Sequence, residues 1–407
     1  MSSTLGSRFW RIWTAAAVSS LGDGVRTAAL PLLAATLTRD PLQIAAVSVA
    51  TGLPWALFAL LSGALVDRLD RRRIMVNTDL VRFVVMGALA VGVGTHHASI
   101  PLLCVVAFAL GTCETMFDNA SQAILPSVVD RGELERANSR LASADLVTRD
   151  FVGPPFGALL FAAAMLLPFA LDSASFGLAA VLVFTVRGSF RVRRSGPPTR
   201  ITHEIRVGLR WLWRHPLIRT LAIMLGVWNL VSAATQAVFV LFALEDLGLH
   251  NVGYGLLFTA WAVGGLLGSF VATRVIKRLG HAAALMVAVA AGAVSYAGIA
   301  ATSSPWVVGA FFAVEGVAVV VWNVITVSAR QALVPPELFG RVNSVYRFIG
   351  WGVIPVGAAV GGVMAKVVGL RAPFVLGAVV LVVMIVLARG QINHDSFDSA
   401  FDAAPTP

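Results

Sequence analysis

The stretch Gly63-Ala-Leu-Val-Asp-Arg-Leu-Asp-Arg-Arg-Arg73 sets four arginines between two long apolar segments, residues 44–66 and 75–94. Each segment has about the 20 residues that an α-helix needs to cross the hydrocarbon core of a bilayer. Lys and Arg in short loops stay on the cytoplasmic side of a membrane. The stretch therefore predicts two membrane-spanning helices that are joined on the cytoplasmic face.

Apolar segments of this kind continue along the whole chain. Of its 407 residues, 57% are apolar and only 13% are charged, which excludes a soluble enzyme. We predict an all-α polytopic membrane protein with twelve transmembrane helices, although eleven or thirteen also fit the hydropathy because several segments abut. The spans are expected at residues 9–37, 44–66, 75–94, 99–123, 146–166, 168–186, 217–244, 252–273, 282–301, 306–329, 345–367 and 372–387.

The basic residues are distributed asymmetrically between the predicted loops. With both termini inside, 25 Lys and Arg residues lie on the cytoplasmic side, and only Arg39, Lys366 and Arg371 lie outside. We therefore predict that the protein resides in the inner membrane of a bacterial-type cell, with both termini in the cytoplasm. The net charge of +10 orients the chain, so nucleic acid is not an expected partner.

The two halves of the sequence resemble each other. A shift of about 204 residues brings Gln122-Ala-Ile-Leu-Pro126 near Gln331-Ala-Leu-Val-Pro335, and Arg136-Ala-Asn-Ser139 near Arg341-Val-Asn-Ser344. We predict two six-helix bundles, residues 1–187 and 217–390. Residues 391–407 have the composition of a disordered cytoplasmic tail.

Residues 188–216 are expected to link the two bundles. They contain turn-forming residues and then an Arg-rich segment, which predicts an amphipathic helix lying in the cytoplasmic interface of the membrane. A plain solvated linker is the alternative. The apolar face of the predicted helix would consist of Ile205, Leu209, Leu212 and Trp213.

The first loop resembles a family signature. Residues 63–73 match the sequence G-x-L-x-D-R-x-G-R-[RK] of the major facilitator superfamily, except that Asp70 replaces its second glycine. We expect the turn to survive because Asp tolerates a left-handed backbone better than most residues. The resemblance implies a cytoplasmic latch between the bundles, formed by Gly63, Asp67, Arg68, Arg71 and Arg72.

In such a latch, Asp67 would meet the positive end of a helix in the other half, and the arginines would meet carboxylates or lipid phosphate. A generic basic loop is the alternative. It would explain the arginines but not Gly63 and Asp67 at this spacing.

A second motif bears on the direction of transport. Gly153-Pro154-Pro-Phe-Gly157, in the fifth predicted span, resembles the G-P-x-x-G signature of antiporters in this superfamily, although Arg149 replaces its upstream glycine. Tight helix packing is an alternative reason for the same residues. Leu21-Gly-Asp-Gly24, followed by Ala29-Leu-Pro-Leu-Leu33, is similar to the branch that contains the enterobactin exporter. These resemblances imply export rather than import.

Several ionisable residues lie inside predicted spans, where an ionised side chain costs at least ~2.5–3.5 kcal/mol. Asp23 and Arg26 share one face of the first helix. They either neutralise each other permanently, or Asp23 exchanges Arg26 for a proton or a cationic substrate. Glu114 and Asp118 share a face of the fourth helix, which has no basic residue. One of them is expected to hold a proton, so this pair is the leading candidate for proton coupling; alternatively, Asp118 meets water or an arginine of another helix.

The second half has its own polar residues within spans. Glu315 is another carboxyl group without a basic neighbour in its helix, and Asn323 takes the place of Glu114. Asn229 and Gln236 are seven residues apart and would line the same cavity, or join helices by hydrogen bonds. Four deep tryptophans would contact an apolar substrate or pack between helices: Trp228, Trp261, Trp322 and Trp351.

Together these features predict a secondary transporter, not an enzyme, that alternates access by rocking two bundles. Its expected substrates are small amphipathic compounds, such as a drug, a siderophore or a secondary metabolite, exported in exchange for protons. The alternatives are an importer or lipid flippase of the same fold, or a non-transporting scaffold or sensor. We expect a monomer among membrane lipids, with a proton gradient as its energy source and no cofactor. Cys104 and Cys113 are too few for a metal knuckle or a disulfide framework.

Overall fold

A computed structural model describes residues 5–66, 69–188, 190, 201–392 and 397. Every regular element in these residues is helical, as the apolar pattern predicts. In the first half the α-helices are α1 (Ser7–Leu37), α2 (Pro41–Val66), α3 (Arg71–Gly94), α4 (Ile100–Ile124), α5 (Leu134–Asp145), α6 (Gly153–Ala163) and α7 (Leu167–Phe184).

The second half contains eight further α-helices. They are α8 (Ile201–Arg214), α9 (Pro216–Leu241), α10 (Asn251–Leu279), α11 (His281–Ala301), α12 (Pro305–Leu333), α13 (Pro336–Trp351), α14 (Ile354–Val367) and α15 (Ala372–Ala388). Proline begins α2, α9 and α12, where its fixed φ suits a helix and its missing amide hydrogen is not needed. Gly280 separates α10 from α11 with φ +79°, a left-handed conformation that glycine adopts without steric cost.

Within the described residues, nine helical stretches are long and apolar enough to cross a membrane, against the twelve spans predicted. The other three predicted spans coincide with helices outside this set. The first is α1, which contains Asp23 and Arg26. The second, residues 146–166, is divided between a π-helical turn and α6. The third is α15, which has only 17 residues.

The chain forms two compact units. Unit 1 comprises Met1–Pro197 and Leu249–Thr259, and unit 2 comprises Pro198–Gly248 and Ala260–Pro407. The division after Pro197 falls inside the predicted linker, residues 188–216. Of the predicted tail, only residues 391, 392 and 397 are among those described. The bundle boundaries at residues 187 and 217 stay predictions.

The amphipathic segment of the linker is helix α8. Its predicted apolar face is divided: Leu212 is fully buried, whereas Leu209 and Trp213 are exposed. Gly208 lies against the backbone of Arg341 in α13, so α8 packs closely within unit 2. The exposed pair is the part of the face that remains available to a lipid interface.

Asp70 begins α3 by capping it. Its carboxylate accepts hydrogen bonds from the backbone amides of Arg73 and Phe190, each at 3.2 Å. The expectation of a left-handed turn is wrong, because Asp70 has φ −70° and ψ 117° in the extended region. Aspartate suits this position for another reason: its side chain satisfies an amide that the first helical turn leaves unpaired.

Glycines allow two helices to approach each other closely in each unit. In unit 1, Gly157 of α6 lies against the backbone of Val25 in α1. In unit 2, Gly361 of α14 lies against the backbone of Ala234 in α9. Close backbone contact of this kind favours helix association in a bilayer through van der Waals packing. The hydrophobic effect does not contribute there, because lipid tails are as apolar as the helix surface. The repeat detected in the sequence therefore has a counterpart in packing.

Candidate functional site

Four charged side chains meet inside unit 1 and are called here the ion cluster: Asp23, Arg26, Glu114 and Arg149. α1 supplies Asp23 and Arg26, three residues apart on one face, and α4 supplies Glu114. Arg149 comes from the segment between α5 and α6. Gly24 lies against the backbone of Arg149, so the absence of a side chain at position 24 lets this segment reach α1.

The segment that holds Arg149 is a π-helical turn, Leu146–Val152. Gly153 follows this turn and precedes Pro154 and Pro155, whose missing amide hydrogens leave backbone carbonyls of the turn without their α-helical donors. Such wide turns occur mostly as single insertions in α-helices, and often at functional sites. The predicted antiporter-like residues Gly153, Pro154 and Gly157 therefore shape the helix that presents Arg149.

The ion cluster is a closed set of four ion pairs, three of which are hydrogen-bonded. Arg149 Nη2 lies 3.0 Å from Asp23 Oδ2, and Arg149 Nη1 lies 3.0 Å from Glu114 Oε1. Arg26 Nη2 lies 2.6 Å from Asp23 Oδ1 and 3.6 Å from Glu114 Oε2. Each guanidinium group thus bridges both carboxylates.

The ion cluster is electrically neutral and largely removed from solvent. Asp23 is buried, and the side chains of Arg26 and Glu114 are 11% and 14% exposed. Two charges taken out of water are tolerated when geometry and hydrogen bonds are both good, and removing one partner is then strongly destabilising. The helix of Glu114 contains no basic residue, and both arginine partners of Glu114 come from elsewhere: Arg26 from α1 and Arg149 from the π-helical turn.

A cavity of about 390 Å³ adjoins the ion cluster. Arg149 and Asp118 both line it, so Asp118 faces the cavity while Glu114 faces the arginines. Asp145 lies at the cavity as well, where it accepts a hydrogen bond from Ser20 Oγ at 2.6 Å and sits 3.5 Å from Arg149 Nε. Arg149 is therefore the side chain that joins the ion cluster to the cavity.

A second group of ionisable residues lies deeper in unit 1. Arg82 and Asp79 of α3 are almost completely buried, with Arg82 Nη1 at 3.7 Å from Asp79 Oδ1. The Arg82 guanidinium also lies over the rings of Phe117 and Phe176, 5.0 and 5.1 Å from their centroids. Asp172 of α7 is fully buried nearby. It was missed at the level of the sequence, although a single carboxyl group in an otherwise apolar span was a signal for it.

Unit 2 contains a cavity of about 310 Å³ with a different lining. All four polar residues proposed for the second half line it: Asn229, Gln236, Glu315 and Asn323. So do the four deep tryptophans, of which Trp228 and Trp322 have ring centroids 5.6 Å apart. The polar residues and tryptophans singled out in the second half thus surround one cavity, whose wall is rich in aromatic side chains.

Two of these polar residues already have hydrogen-bond partners. Glu315 is buried and accepts a hydrogen bond from the Tyr296 hydroxyl group at 2.7 Å. Asn229 Nδ2 donates to the carbonyl oxygen of Gly350 at 2.8 Å. Asn229 therefore joins helices as well as lining the cavity, which was the alternative foreseen for it.

The predicted latch is only partly described. Asp67 and Arg68 lie outside the described residues, and the backbone of Gly63 belongs to α2. Arg71 donates to the carbonyl oxygen of Ala123, and Arg72 donates to that of Phe184. These contacts differ from the expected carboxylate partners: both arginines bind carbonyl oxygens at the ends of α4 and α7, where the helix dipole favours a cation. Contact with lipid phosphate stays a prediction.

The described residues contain no group of three or more His, Cys, Asp or Glu side chains that could hold a metal ion. Cys104 and Cys113 are both free thiols. What the site can do is bind and release protons at its carboxyl groups and accommodate an organic molecule in its cavities.

Sequence comparisons match almost the whole chain. Residues 4–404 match the protein family described as Transmembrane secretion effector. The chain is 26% identical over 372 residues to the multidrug efflux pump Tap of Mycolicibacterium fortuitum, covering 88% of this chain and 90% of that protein. It is 22% identical over 398 residues to macrolide efflux protein A of Streptococcus pyogenes, covering 95% and 96% of the two chains.

Solved structures share the fold at low sequence identity. A variant of the nucleoside transporter NupG superposes with a TM-score of 0.76 at 13% identity, covering 95% of this chain and all 100% of that one. A bacterial homologue of the iron transporter ferroportin, in its inward-facing state, gives a TM-score of 0.72 at 18% identity, covering 94% and 100%. At this identity the likeness shows the fold alone.

Proposed function

Because this chain is a multi-pass membrane transporter that belongs to the transmembrane secretion effectors of the major facilitator superfamily, we propose that it exports small amphipathic compounds in exchange for protons. Relatives named for the efflux of several drugs and of macrolides support the outward direction. The asymmetry of Lys and Arg supports insertion in a bacterial inner membrane with both termini in the cytoplasm.

The observation that carries this proposal is the ion cluster beside its cavity. Arg149 bonds to Asp23 and Glu114 at 3.0 Å and also lines a cavity of about 390 Å³. A carboxylate that loses a guanidinium partner in a dry interior is stabilised by taking a proton. Movement of Arg149 away from either carboxylate would therefore be coupled to proton uptake there.

The unit 2 cavity supports an amphipathic substrate. Its volume of about 310 Å³ falls at the lower end of the range for small-molecule sites. Aromatic walls bind flat apolar surfaces, and Gln236, Asn323 and Glu315 offer a few polar contacts that fix orientation. A site built for a strongly polar solute would need more convergent polar groups than this lining provides.

Transport follows an alternating-access cycle in this proposal. Substrate binds from the cytoplasm while the carboxylates are paired with arginines, and proton uptake from the outside breaks those pairs and resets the transporter. The chain acts as a monomer, because each unit contains its own site within one polypeptide. No cofactor takes part, and the proton gradient supplies the energy.

The test measures accumulation of ethidium and of a macrolide in cells that express the wild type, Asp23→Asn or Glu114→Gln. We expect the wild type to lower accumulation, a protonophore to abolish that effect, and both variants to resemble cells without the protein. Glu135→Gln, at an exposed position in α5, is the matched control and should export normally.

Two results would contradict the proposal. Export that resists the protonophore and persists in both variants would contradict the coupling of export to protons. Faster accumulation in cells that express the wild type would show an importer instead.

A further inference from the structure

Asp172 has a fully buried carboxyl group that forms no ion pair with a described residue. It lies on α7, it is 0% exposed, and neither carboxyl oxygen accepts a hydrogen bond from a described residue. An ionised carboxylate in that state would cost several kcal/mol, because it has lost water and gained no donor. A protonated carboxyl group avoids most of this cost.

The position of Asp172 is set by a glycine of α1. A side chain at Gly22 would collide with Asp172 Oδ1, so the carboxyl group points directly at α1 where it has no side chain. Gly22 precedes Asp23 and lies four residues before Arg26, which places Arg26 on the same face of α1. Asp172 is therefore a neighbour of the Asp23–Arg26 pair.

The charges around Asp172 come from three helices. α1 contributes Asp23 and Arg26, α3 contributes Asp79 and Arg82, and α4 contributes Glu114. α6, which also packs on α7, has no charged residue. Each of the other carboxyl groups has an arginine within 4 Å, at 2.6 Å for Asp23, 3.0 Å for Glu114 and 3.7 Å for Asp79.

The charge balance indicates where protons must be held. In this described interior, five carboxyl groups face three guanidinium groups: Asp23, Asp79, Glu114, Asp118 and Asp172 against Arg26, Arg82 and Arg149. Asp118 lines the cavity, where water can solvate its charge. Two carboxylates are therefore in excess of the guanidinium groups. Asp118 can keep its charge at the cavity, whereas Asp172 has no described arginine within ion-pair distance and does not line that cavity, so a proton must neutralise it.

We propose that Asp172 is a proton-binding site of unit 1, which exchanges its proton with Asp23 when Arg26 changes partner. In the arrangement described, Asp172 is a neutral acid and Arg26 pairs with Asp23. When Arg26 turns to Asp172, the O–H bond of Asp172 breaks, its proton moves to the carboxylate that Arg26 has left, and Asp172 pairs with Arg26. The total charge of the interior is the same before and after.

This exchange extends the proposed function, because it gives the proton a place to reside while the ion cluster is intact. A proton taken up at the Arg149 side of the ion cluster would be passed inward to Asp172 and returned by the reverse step. The proton-holding role of Asp172 also stands without any transport, so it can be tested separately.

The first test is infrared difference spectroscopy of the purified full chain in lipid bilayers, between acidic and alkaline buffers. We expect a carbonyl stretch of a protonated carboxyl group that loses one component in Asp172→Asn. Asp79→Asn is the matched control, since it is equally buried but paired with Arg82, and it should keep that component. A component that persists in Asp172→Asn, or that disappears only in Asp79→Asn, would overturn the assignment.

Asp172→Glu keeps the experiment decisive if the asparagine variant fails to fold. It retains a carboxyl group in a slightly different place, so the same component should shift in frequency. An unchanged frequency would overturn the proposal.

The second test uses proteoliposomes with ethidium and an imposed pH gradient. We expect Asp172→Asn to move ethidium down its own gradient but to lose all accumulation driven by the pH gradient. Accumulation equal to the wild type would overturn the exchange step. If the wild type itself shows no pH-driven accumulation, the proposed function is wrong. The assignment of a proton to Asp172 is then decided by the infrared experiment alone.

Discussion

Unit 1 and unit 2 contain the same kind of close helix contact but have different interiors. Gly157 against α1 and Gly361 against α9 occupy corresponding places in the two halves. Beside these contacts, unit 1 holds Glu114 in a set of ion pairs, whereas Asn323 takes the same place in unit 2 and lines an aromatic cavity. Backbone packing is thus repeated while the polar chemistry is not.

Backbone packing and the chemistry of the interior therefore constrain different helix faces. A glycine face must stay free of side chains because another backbone lies against it. The remaining faces can change from charged to aromatic without moving that backbone. Unit 1 is therefore suited to hold protons, and unit 2 to bind an apolar surface, on scaffolds built in the same way.

The largest expected effect is at Arg149. Arg149→Leu leaves Asp23 and Glu114 each with fewer donors in a largely dry interior, and loss of one member of a buried ion pair costs about 3–5 kcal/mol. We expect a fall of that size in the free energy of unfolding, measured by denaturant titration in detergent. The triple variant Arg149→Leu, Asp23→Asn, Glu114→Gln removes the stranded charges and should recover most of it. No recovery would mean that Arg149 acts through packing rather than charge.

The next largest effect is expected at the glycines that form a close helix contact within each unit. Gly157→Ala and Gly361→Ala should each lower the free energy of unfolding by about 1–3 kcal/mol, because the added methyl group meets backbone atoms that cannot move aside. Gly340→Ala in α13 is the control. Its position is open, so the higher helix propensity of alanine should raise stability by up to about 1 kcal/mol. Unequal losses of unfolding free energy at Gly157 and Gly361 would show that the two contacts are not equivalent.

A smaller effect is expected in the unit 2 cavity. Tyr296→Phe removes the hydroxyl group that donates to Glu315 at 2.7 Å, which leaves a buried acceptor unpaired and costs about 1–3 kcal/mol. Glu315→Gln keeps an acceptor oxygen for Tyr296, so its loss should be smaller. Thermal unfolding of both variants measures the difference. A larger loss in Glu315→Gln than in Tyr296→Phe would contradict this assignment of the hydrogen bond.

The smallest effect is expected at an exposed ion pair of unit 1. Arg136 and Glu133 lie 3.5 Å apart, but the Arg136 side chain is 51% exposed. Arg136→Gln should change the free energy of unfolding by less than about 1 kcal/mol, because water and salt screen such pairs. The same titration used for Arg149→Leu measures it. A loss comparable to that of Arg149→Leu would show that burial does not distinguish the two ion pairs.

The membership of the superfamily was predictable from residues 63–73, and the family match over residues 4–404 confirms it. The Asp23–Arg26 pair was also predictable, since residues three apart on a helix are neighbours. These successes depend on short-range sequence patterns. The roles assigned to the ion cluster, to the unit 2 cavity and to the latch stay predictions.

Arg149 shows why the rest of the site was not predictable. Its partners Glu114 and Asp23 are 35 and 126 residues away in sequence, so only the packing of α1, α4 and the π-helical turn brings them together. Asp145 and Asp150 are close to Arg149 in the sequence, which indicates a local network of ion pairs, but of these two only Asp145, at 3.5 Å, forms an ion pair with Arg149. Hydropathy detects that a charge lies in a span but not which helix face will meet it.

The π-helical turn at Leu146–Val152 makes the ion cluster sensitive to chain length at one place. A wide turn contains one residue more than a regular α-helical turn, and each residue advances the helix by about 100°. Deleting one residue there, after Arg149, would allow a regular α-helix. It would also rotate the preceding residues relative to Gly157, so that the Arg149 guanidinium group would turn away from Asp23 and Glu114. The irregular winding thus orients Arg149, the side chain of the ion cluster that also lines the cavity.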